Sequence, residues 1–547
     1  MDIQWLGQHH RYNLVFMLTD DGNVYRSADA GKTWVDQTPM VTAHQWASHP
    51  ADAHHMGFFG LHVSEADPSV VLLEGSEGRH AITTDGGRSY RPISFHEVLT
   101  EFKLHPHHAN HILASTLSHK CHHEDAEGSC YKNLYVSRDS GATWKRINDY
   151  VVQYDWAAEL KRGAGSHLPA DAIFATVVSV KMGHQNFGVW DSRVNLVLTQ
   201  DMFETHETLV ERGNRFLFTE KFLAVAQVAA VGHRVNLVLS ANGGRSFVET
   251  GMPYAMAQHS YTILDTSEDT VFLHVNHVGE GAQWGHVYQS NSLGTNFTLS
   301  LPSNRRDENG KCDFEKLQSM EGVYIANFIN NVEALEAYEA RAHDADMGQE
   351  DAPEYPKVTP EVRTVITHDK GSTWTYLTPP SVNAHRQPLH CPARDECYLH
   401  LHGVTDVFGP FYSTPSAVGL LMATGCVGDR LCFREGEINT YFSRDAGHTW
   451  AEVATGSHIY EFGDHGGLIV MANDEDVTDH VLFSWNEGLT WEKHVISHSP
   501  VLVDNIMIEP TSRAMQFVVY GTRLEENGVR TGVAFHVDFS QLHEPRC

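Results

Sequence analysis

Short runs in which apolar and polar positions interleave recur along the chain in a constant setting. They read NVYRS at 23–27, NLYVS at 133–137, NLVLS at 236–240, TVITH at 364–368 and TYFS at 440–443. Each is of strand length and rich in branched and aromatic residues. Each runs into a polar, glycine-bearing stretch and re-emerges at an aromatic residue. The pattern predicts strand, tight turn and returning strand, a β-hairpin. Further strands are expected near the two ends, at 3–5, 13–18 and 533–539.

The turn is a repeat, Ser/Thr-x-Asp-x-Gly-x-Thr-Trp. It stands as SADAGKTW at 27–34, TTDGGRSY at 83–90, SRDSGATW at 137–144, THDKGSTW at 367–374, SRDAGHTW at 443–450 and SWNEGLTW at 484–491. Weaker copies are SANGGRSF at 240–247, SNSLGTNF at 290–297 and TQDMFETH at 199–206, where Phe203 replaces the glycine. The acidic position falls on Asp29, Asp85, Asp139, Asp201, Asn242, Asp369, Asp445 and Asn486, and on Ser292 in the copy at 290–297; the copy at 199–206 is the most degraded. An Asp or Asn there accepts hydrogen bonds from turn amides. The glycine permits a positive φ, and the ring opens the returning strand and enters the core. These residues are read as structural, because a catalytic group is not needed nine times. Hairpin units of 40–60 residues repeated through a chain imply propeller blades. Nine copies plus the strands at each end predict an all-β propeller of nine or ten blades. One ring over 1–547 therefore replaces the three or four domains that 547 residues would suggest by length alone.

Composition narrows the function. With 39 Lys+Arg against 69 Asp+Glu, the formal charge is −30. That excludes nucleic acid, which demands basic patches, and docking on anionic membranes. The 38 His would move the balance from −30 to +8 if all were protonated. No apolar run is long enough to span a membrane. The start carries no signal-peptide pattern. The chain therefore reads as cytosolic or as a piece of something longer. Three close cysteine pairs, Cys121/Cys130, Cys391/Cys397 and Cys426/Cys432, read as local disulfides and favour an oxidising compartment. Cys312 and Cys547 are left over.

The turn resembles the Asp-box, or bacterial neuraminidase repeat, which speaks for fold and not for activity. The text between the boxes goes further. GVYIANFIN, CPARDECYLHLHG, YSTPSAVGLLMATGCVGD, GSHIYEFGDHGGLIVMA and VDFSQLHEPRC follow one another from Gly322 onward. In the first half, QWLG, HPHHANHILAST and NRFLFTEKFLAVA match more loosely. The string resembles the ligand-binding domain of the sortilin family, the vacuolar-protein-sorting-ten domain. The resemblance implies a ten-bladed propeller, the luminal head of a type I membrane receptor. Such a receptor carries peptide or protein cargo, hydrolase precursors or propeptides, from Golgi to endosome and vacuole or lysosome. It implies no enzyme and no cofactor. Retromer and adaptors would act only through a tail, and the membrane only through a span, that this sequence lacks. Cys391 and Cys397 match a local family disulfide. Cys547 matches the cysteine where a following cysteine-rich module begins, so the chain is read as a fragment without that module and without its N-terminal edge.

Candidate site residues follow from the same resemblance. Arg234 falls near the family's carboxylate-binding arginine, a guanidinium suited to bidentate capture. Tyr261 and Thr262 match a peptide-contacting pair. The run His105-Pro-His107-His108-Ala-Asn-His111 has metal-like density but is read as a solvated turn, so no metal is expected. His400 and His402 alternate on one strand face and are read as structural. Residues 331–360, with eight acidic and two basic residues, are read as an insertion, a short helix and then an acidic loop. Asn296 begins the sequon Asn-Phe-Thr. The His load suggests release of cargo on acidification. The alternative class is a sialidase-like Asp-box glycoside hydrolase. The sequence offers no start motif for it and no identifiable carboxylate pair.

Overall fold

The computed structural model describes residues 2–8, 11–43, 57–95, 97–121, 128–160, 168–188, 190–219, 221–229, 234–253, 256–257, 260–277, 282–346, 357–389, 397–406, 411–434, 436–525 and 528–542. The fold is all-β. Successive strands pair with their sequence neighbours into antiparallel meanders, nearly all of four strands, spanning 2–36, 58–94, 98–149, 151–210, 213–257, 261–305, 314–376, 398–455, 458–495 and 502–538. The last has three strands among the described residues. One pairing, Asn304 with Phe328, fuses the sixth and seventh meanders into an eight-stranded sheet. The expected strands appear as Val24–Ser27, Lys132–Ser137, Arg234–Ser240, Val362–Thr367 and Asn439–Ser443. The terminal ones are Asp2–Gln8, Arg11–Leu18 and Arg530–Asp538.

The chain forms two compact units, 1–258 with 291–296, and 259–290 with 297–547. Within each, the cores lie between neighbouring sheets. In the first unit Leu113 and Leu134 meet Tyr154, Trp156 and Ile173 of the next meander. In the second, Leu468 and Val470 meet Val503, Phe517 and Val519. Middle strands are thus covered on both faces, and Ile173–Val178 and Val362–Thr367 are buried at every position. Two-sided cover replaces alternation with continuous buried runs, mostly apolar or small and with Arg363 the exception. Among the described residues, no helix is long and apolar enough to cross a membrane.

Each box joins the third and fourth strands of its meander. In the first, Asp29 Oδ1 accepts the Thr33 amide at 2.9 Å and Oδ2 accepts the Thr33 hydroxyl at 2.7 Å. Ser27 Oγ donates to Asp29 and accepts the Gly31 amide at 2.8 Å. The Thr33 amide leads the donors that hold the Asp29 carboxyl down at about 2. The same pattern recurs at Asp85, Asp139, Asp201, Asp369 and Asp445, and with Asn at 242 and 486.

Two expectations need correction. At 290–297 the turn is bonded by Asn291, whose Oδ1 accepts the Thr295 amide at 2.9 Å, not by Ser292. A one-residue shift keeps the four-residue reach from acceptor to amide. The glycine takes the positive φ expected of it, and the residue before it does so too: Ala30 at 60° with Gly31 at 88°, and likewise Ala446 at 58° with Gly447 at 84°. Finally, the ring precedes the returning strand everywhere except at Phe297, which opens the strand Phe297–Arg305, and it is mostly half-buried. Trp450 and Phe297 are the buried ones.

A Cβ on Gly447 would lie 2.5 Å from Ile366 Cδ1. Gly447→Ala is therefore expected to cost about 2–4 kcal/mol from the left-handed backbone and the clash together. A urea-unfolding midpoint checks it, and a loss under about 0.5 kcal/mol would contradict this packing.

Cys121–Cys130 and Cys426–Cys432 are disulfide-bonded. Cys397 is also a disulfide half, while Cys391 and Cys547 lie outside the described residues. Cys312 is a buried free thiol that burial pushes up to about 12, which keeps it protonated and unreactive. The acidic insertion begins with a helix of 15 residues, Val332–Asp346, longer than the short one expected. Leu335 anchors it against Trp284 and Ile329. The described part of the following stretch begins at Lys357. Asn296 is exposed on its box turn.

Candidate functional site

Arg234 is the first residue of Arg234–Ser240, exposed, and pairs with Ala257 across the short strand Met256–Ala257. Its guanidinium makes no ion pair among the described residues. Such an arginine at a strand start can offer both guanidinium edges to a carboxylate. Arg234 belongs to the first unit, and Tyr261 and Thr262 to the second. Tyr261 and Thr262 open the strand Tyr261–Asp265, both half-buried. Thr262 Oγ1 donates to the Gly310 carbonyl at 3.3 Å.

The histidine run departs from the sequence reading. His105 is not solvated but fully buried. Its Nδ1 accepts the amides of His107 and His108 at 2.9 and 3.0 Å, and its Nε2 donates to the Ala170 carbonyl at 3.0 Å. The turn needs an acceptor for two amides, and the ring supplies it. Asp171 faces the cluster, 3.1 Å from His108 Nδ1 and 3.0 Å from His111 Nδ1. Burial pushes the Asp171 carboxyl up, but His111 and His108 outweigh it and hold it below its ordinary value. His105, His108 and Asp171 come close enough to encircle a cation. The donor set does not suit one, because both His105 nitrogens are committed and neither lone pair is free.

His400 and His402 are both fully buried and engage different partners. His400 Nδ1 accepts the Thr364 amide at 3.1 Å. His402 Nδ1 lies 3.0 Å from Asp406 Oδ2. Asp406 in turn grips Arg305 with two contacts of 2.8 and 2.9 Å, and Arg305 reaches Asp313 at 3.3 Å. The Phe433 ring covers the guanidinium at 5.4 Å. This buried network joins residues about one hundred positions apart, and sequence reading did not find it. LHLHG was the only visible fragment of it.

The family model described as "Sortilin, neurotensin receptor 3" matches residues 9–506. The chain belongs to the Sortilin-Vps10 family. It is 31% identical over 539 residues to the vacuolar protein sorting/targeting protein 10 of Laccaria bicolor, a match covering 96% of this chain and 33% of that protein. The protein of the same name from Mycosarcoma maydis matches at the same identity and coverage. This sortilin-family chain thus spans about one third of the length of those curated relatives. Among solved structures, a GH74 enzyme of Niastella koreensis is similar at 12% identity and a TM-score of 0.32, covering 97% of this chain and 90% of that one. A GH74 xyloglucanase from Xanthomonas campestris gives 14% and 0.33, with 93% and 75% covered. Likeness at that level carries no argument for glycoside hydrolysis.

Proposed function

We propose that this chain is the cargo-binding domain of a vacuolar sorting receptor, its ten meanders being the blades of one propeller with 331–360 inserted. The family match over 9–506 carries the reading. The fungal relatives, named for vacuolar protein sorting, support it. The domain works in the lumen of the Golgi–endosome–vacuole pathway, held to the membrane by parts of the receptor outside this sequence. It binds peptide or protein cargo, hydrolase precursors or propeptides among them, and performs no chemistry on it.

Arg234 is the proposed contact for a peptide carboxylate, and Tyr261 and Thr262 are proposed as peptide-contacting residues of the second unit. Arg234→Ala is expected to weaken a peptide with a free C-terminal carboxylate about 10–100-fold, the worth of a charge-assisted hydrogen bond. The amidated peptide should be unaffected. Equal loss for both peptides would remove Arg234 from this role. Cargo affinity is expected to fall by at least about tenfold between pH 7 and pH 5.5. The measurement is a binding titration of hydrolase propeptides on the immobilised domain, and a curve flat over that range would sink pH-driven release.

A further inference from the structure

A cavity of about 290 Å³ lies within the second unit, between the strands His458–Gly463 and Leu502–Met507. Each is the first strand of its meander, and the two do not hydrogen-bond to one another. Alternation aims half-buried Ile459 and Glu461 to one side while Tyr460 and Phe462 bury on the other. The facing strand contributes Asn505, Ile506 and Met507. The walls are mostly apolar. The exception is the carboxylate.

Glu461 Oε1 accepts the Tyr412 hydroxyl at 2.6 Å and the Phe462 amide at 2.8 Å. Among the described residues Oε2 accepts nothing. Asn505 Oδ1 is taken by the Ile506 amide at 2.8 Å, which leaves its NH₂ as the other side-chain polar group lining the space with no bond to a described residue. No Lys, Arg or His lines the cavity. The titratable group facing Glu461 is the phenol of Tyr412, and the Tyr460 phenol, which also lines the cavity, belongs to the strand's other face; burial holds both protonated. Asp504, on the opposite strand, is exposed. A carboxylate in an apolar recess without a cation is costly, and the remedy within reach is a ligand that brings one.

We propose that this cavity is a binding site for an arginine or lysine side chain of a ligand, its aliphatic stem against Ile459, Ile506 and Met507 and its cationic head on Glu461 Oε2. The volume, at the low end for ligand pockets, fits one side chain and not a drug-sized molecule. A long cationic side chain combines the apolar stem and charged end these walls require. The charge of −30 on the chain favours approach of a cation. The site also acquires a pH response. Burial pushes the Glu461 carboxyl up to about 7, so acidification neutralises it and releases the cation. The proposal rests on the cargo-binding reading only for what carries the side chain.

The test uses the full chain with Nα-acetyl-arginine amide and its neutral isostere Nα-acetyl-citrulline amide as probes, followed by saturation-transfer NMR titration. The arginine probe is expected to bind at pH 7.5 and about 20-fold more weakly at pH 5.5, following the ionised fraction of the carboxyl. The citrulline probe should bind at least about tenfold more weakly at pH 7.5. Glu461→Gln keeps an acceptor for Tyr412 and should erase the preference and the pH response together. Met507→Trp should fill the cavity and block both probes. Equal binding of the two probes, or a Glu461→Gln protein that keeps its preference and pH response, overturns the proposal. Because the probes are free amino-acid amides, loss of propeptide binding with these results intact would count against the cargo reading alone. The converse would count against the cavity alone.

Discussion

Arg305→Met is expected to destabilise the second unit by about 3–5 kcal/mol at pH 7, the range for breaking a buried ion pair by removing one partner. The wild-type guanidinium is held by Asp406 at 2.8 Å and Asp313 at 3.3 Å, and both carboxylates are almost fully buried. Removing the cation leaves two negative charges facing each other out of water. Asp313 keeps the Asn327 amide at 3.0 Å and the Thr405 amide at 3.0 Å, and Asp406 keeps His402. Those donors do not replace the guanidinium. One carboxylate would relieve the repulsion by taking a proton, so the deficit should shrink between pH 7 and pH 5. Urea midpoints of the variant and wild type at both pH values measure this. A loss within about 1 kcal/mol at pH 7, or one that grows at pH 5, would mean the network is not the clamp its geometry describes.

That network also marks where sequence reading stops. The boxes were legible because each is a local device. Asp29 and Thr33, or Asp445 and Thr449, lie four residues apart, so spacing alone encodes the bond. Even there, local reading failed where two registers of similar composition competed. Asn291 rather than Ser292 bonds Thr295, because the bond depends on reach to the amide and not on alignment to the glycine. The histidines were misread for a different reason. A His beside a proline in a turn has no sequence mark that separates solvent from a buried acceptor. His105 is buried because Trp156 and the Ala170–Asp171 segment, some fifty to sixty-five residues later, close over it. The pairing of Arg305 with Asp406 spans still more chain. Family resemblance pointed to Arg234 but gave no warning of the Glu461 cavity, which exists only because two strands forty residues apart come side by side.

His274 and His400, set against Glu315 and Glu461, are expected to change the second unit's stability by less than about 2 kcal/mol from pH 7 to pH 5 and to lower it steeply below. His274 and His400 are fully buried, and burial holds them down at about 3 and about 4. As pH falls below 6.5 the unfolded chain takes up their protons and the folded chain does not. Each therefore withdraws about 1.4 kcal/mol per pH unit, or about 4 kcal/mol for the pair by pH 5. Glu315 and Glu461 act with the opposite sign. Burial pushes both up to about 7, so between pH 7 and their unfolded value of 4.5 the folded chain binds protons the unfolded one lacks. Their gain by pH 5 would be about 5 kcal/mol, and about half that once their partial exposure is discounted. The two pairs nearly cancel between pH 7 and pH 5. Below pH 4.5 the glutamates have nothing more to give, while His274 continues to withdraw stability and His400 does so until about pH 4. Glu315→Gln with Glu461→Gln removes the counterweight, so the double variant should lose about 3–4 kcal/mol between pH 7 and pH 5 where the wild type changes by less than about 2. Urea midpoints at pH 7, 6, 5 and 4 separate the cases. A double variant whose pH profile parallels the wild type would show that the glutamates do not offset the buried histidines. The charge swing of 38 histidines is in this sense smaller than composition suggests, because some of those rings oppose acid by staying neutral.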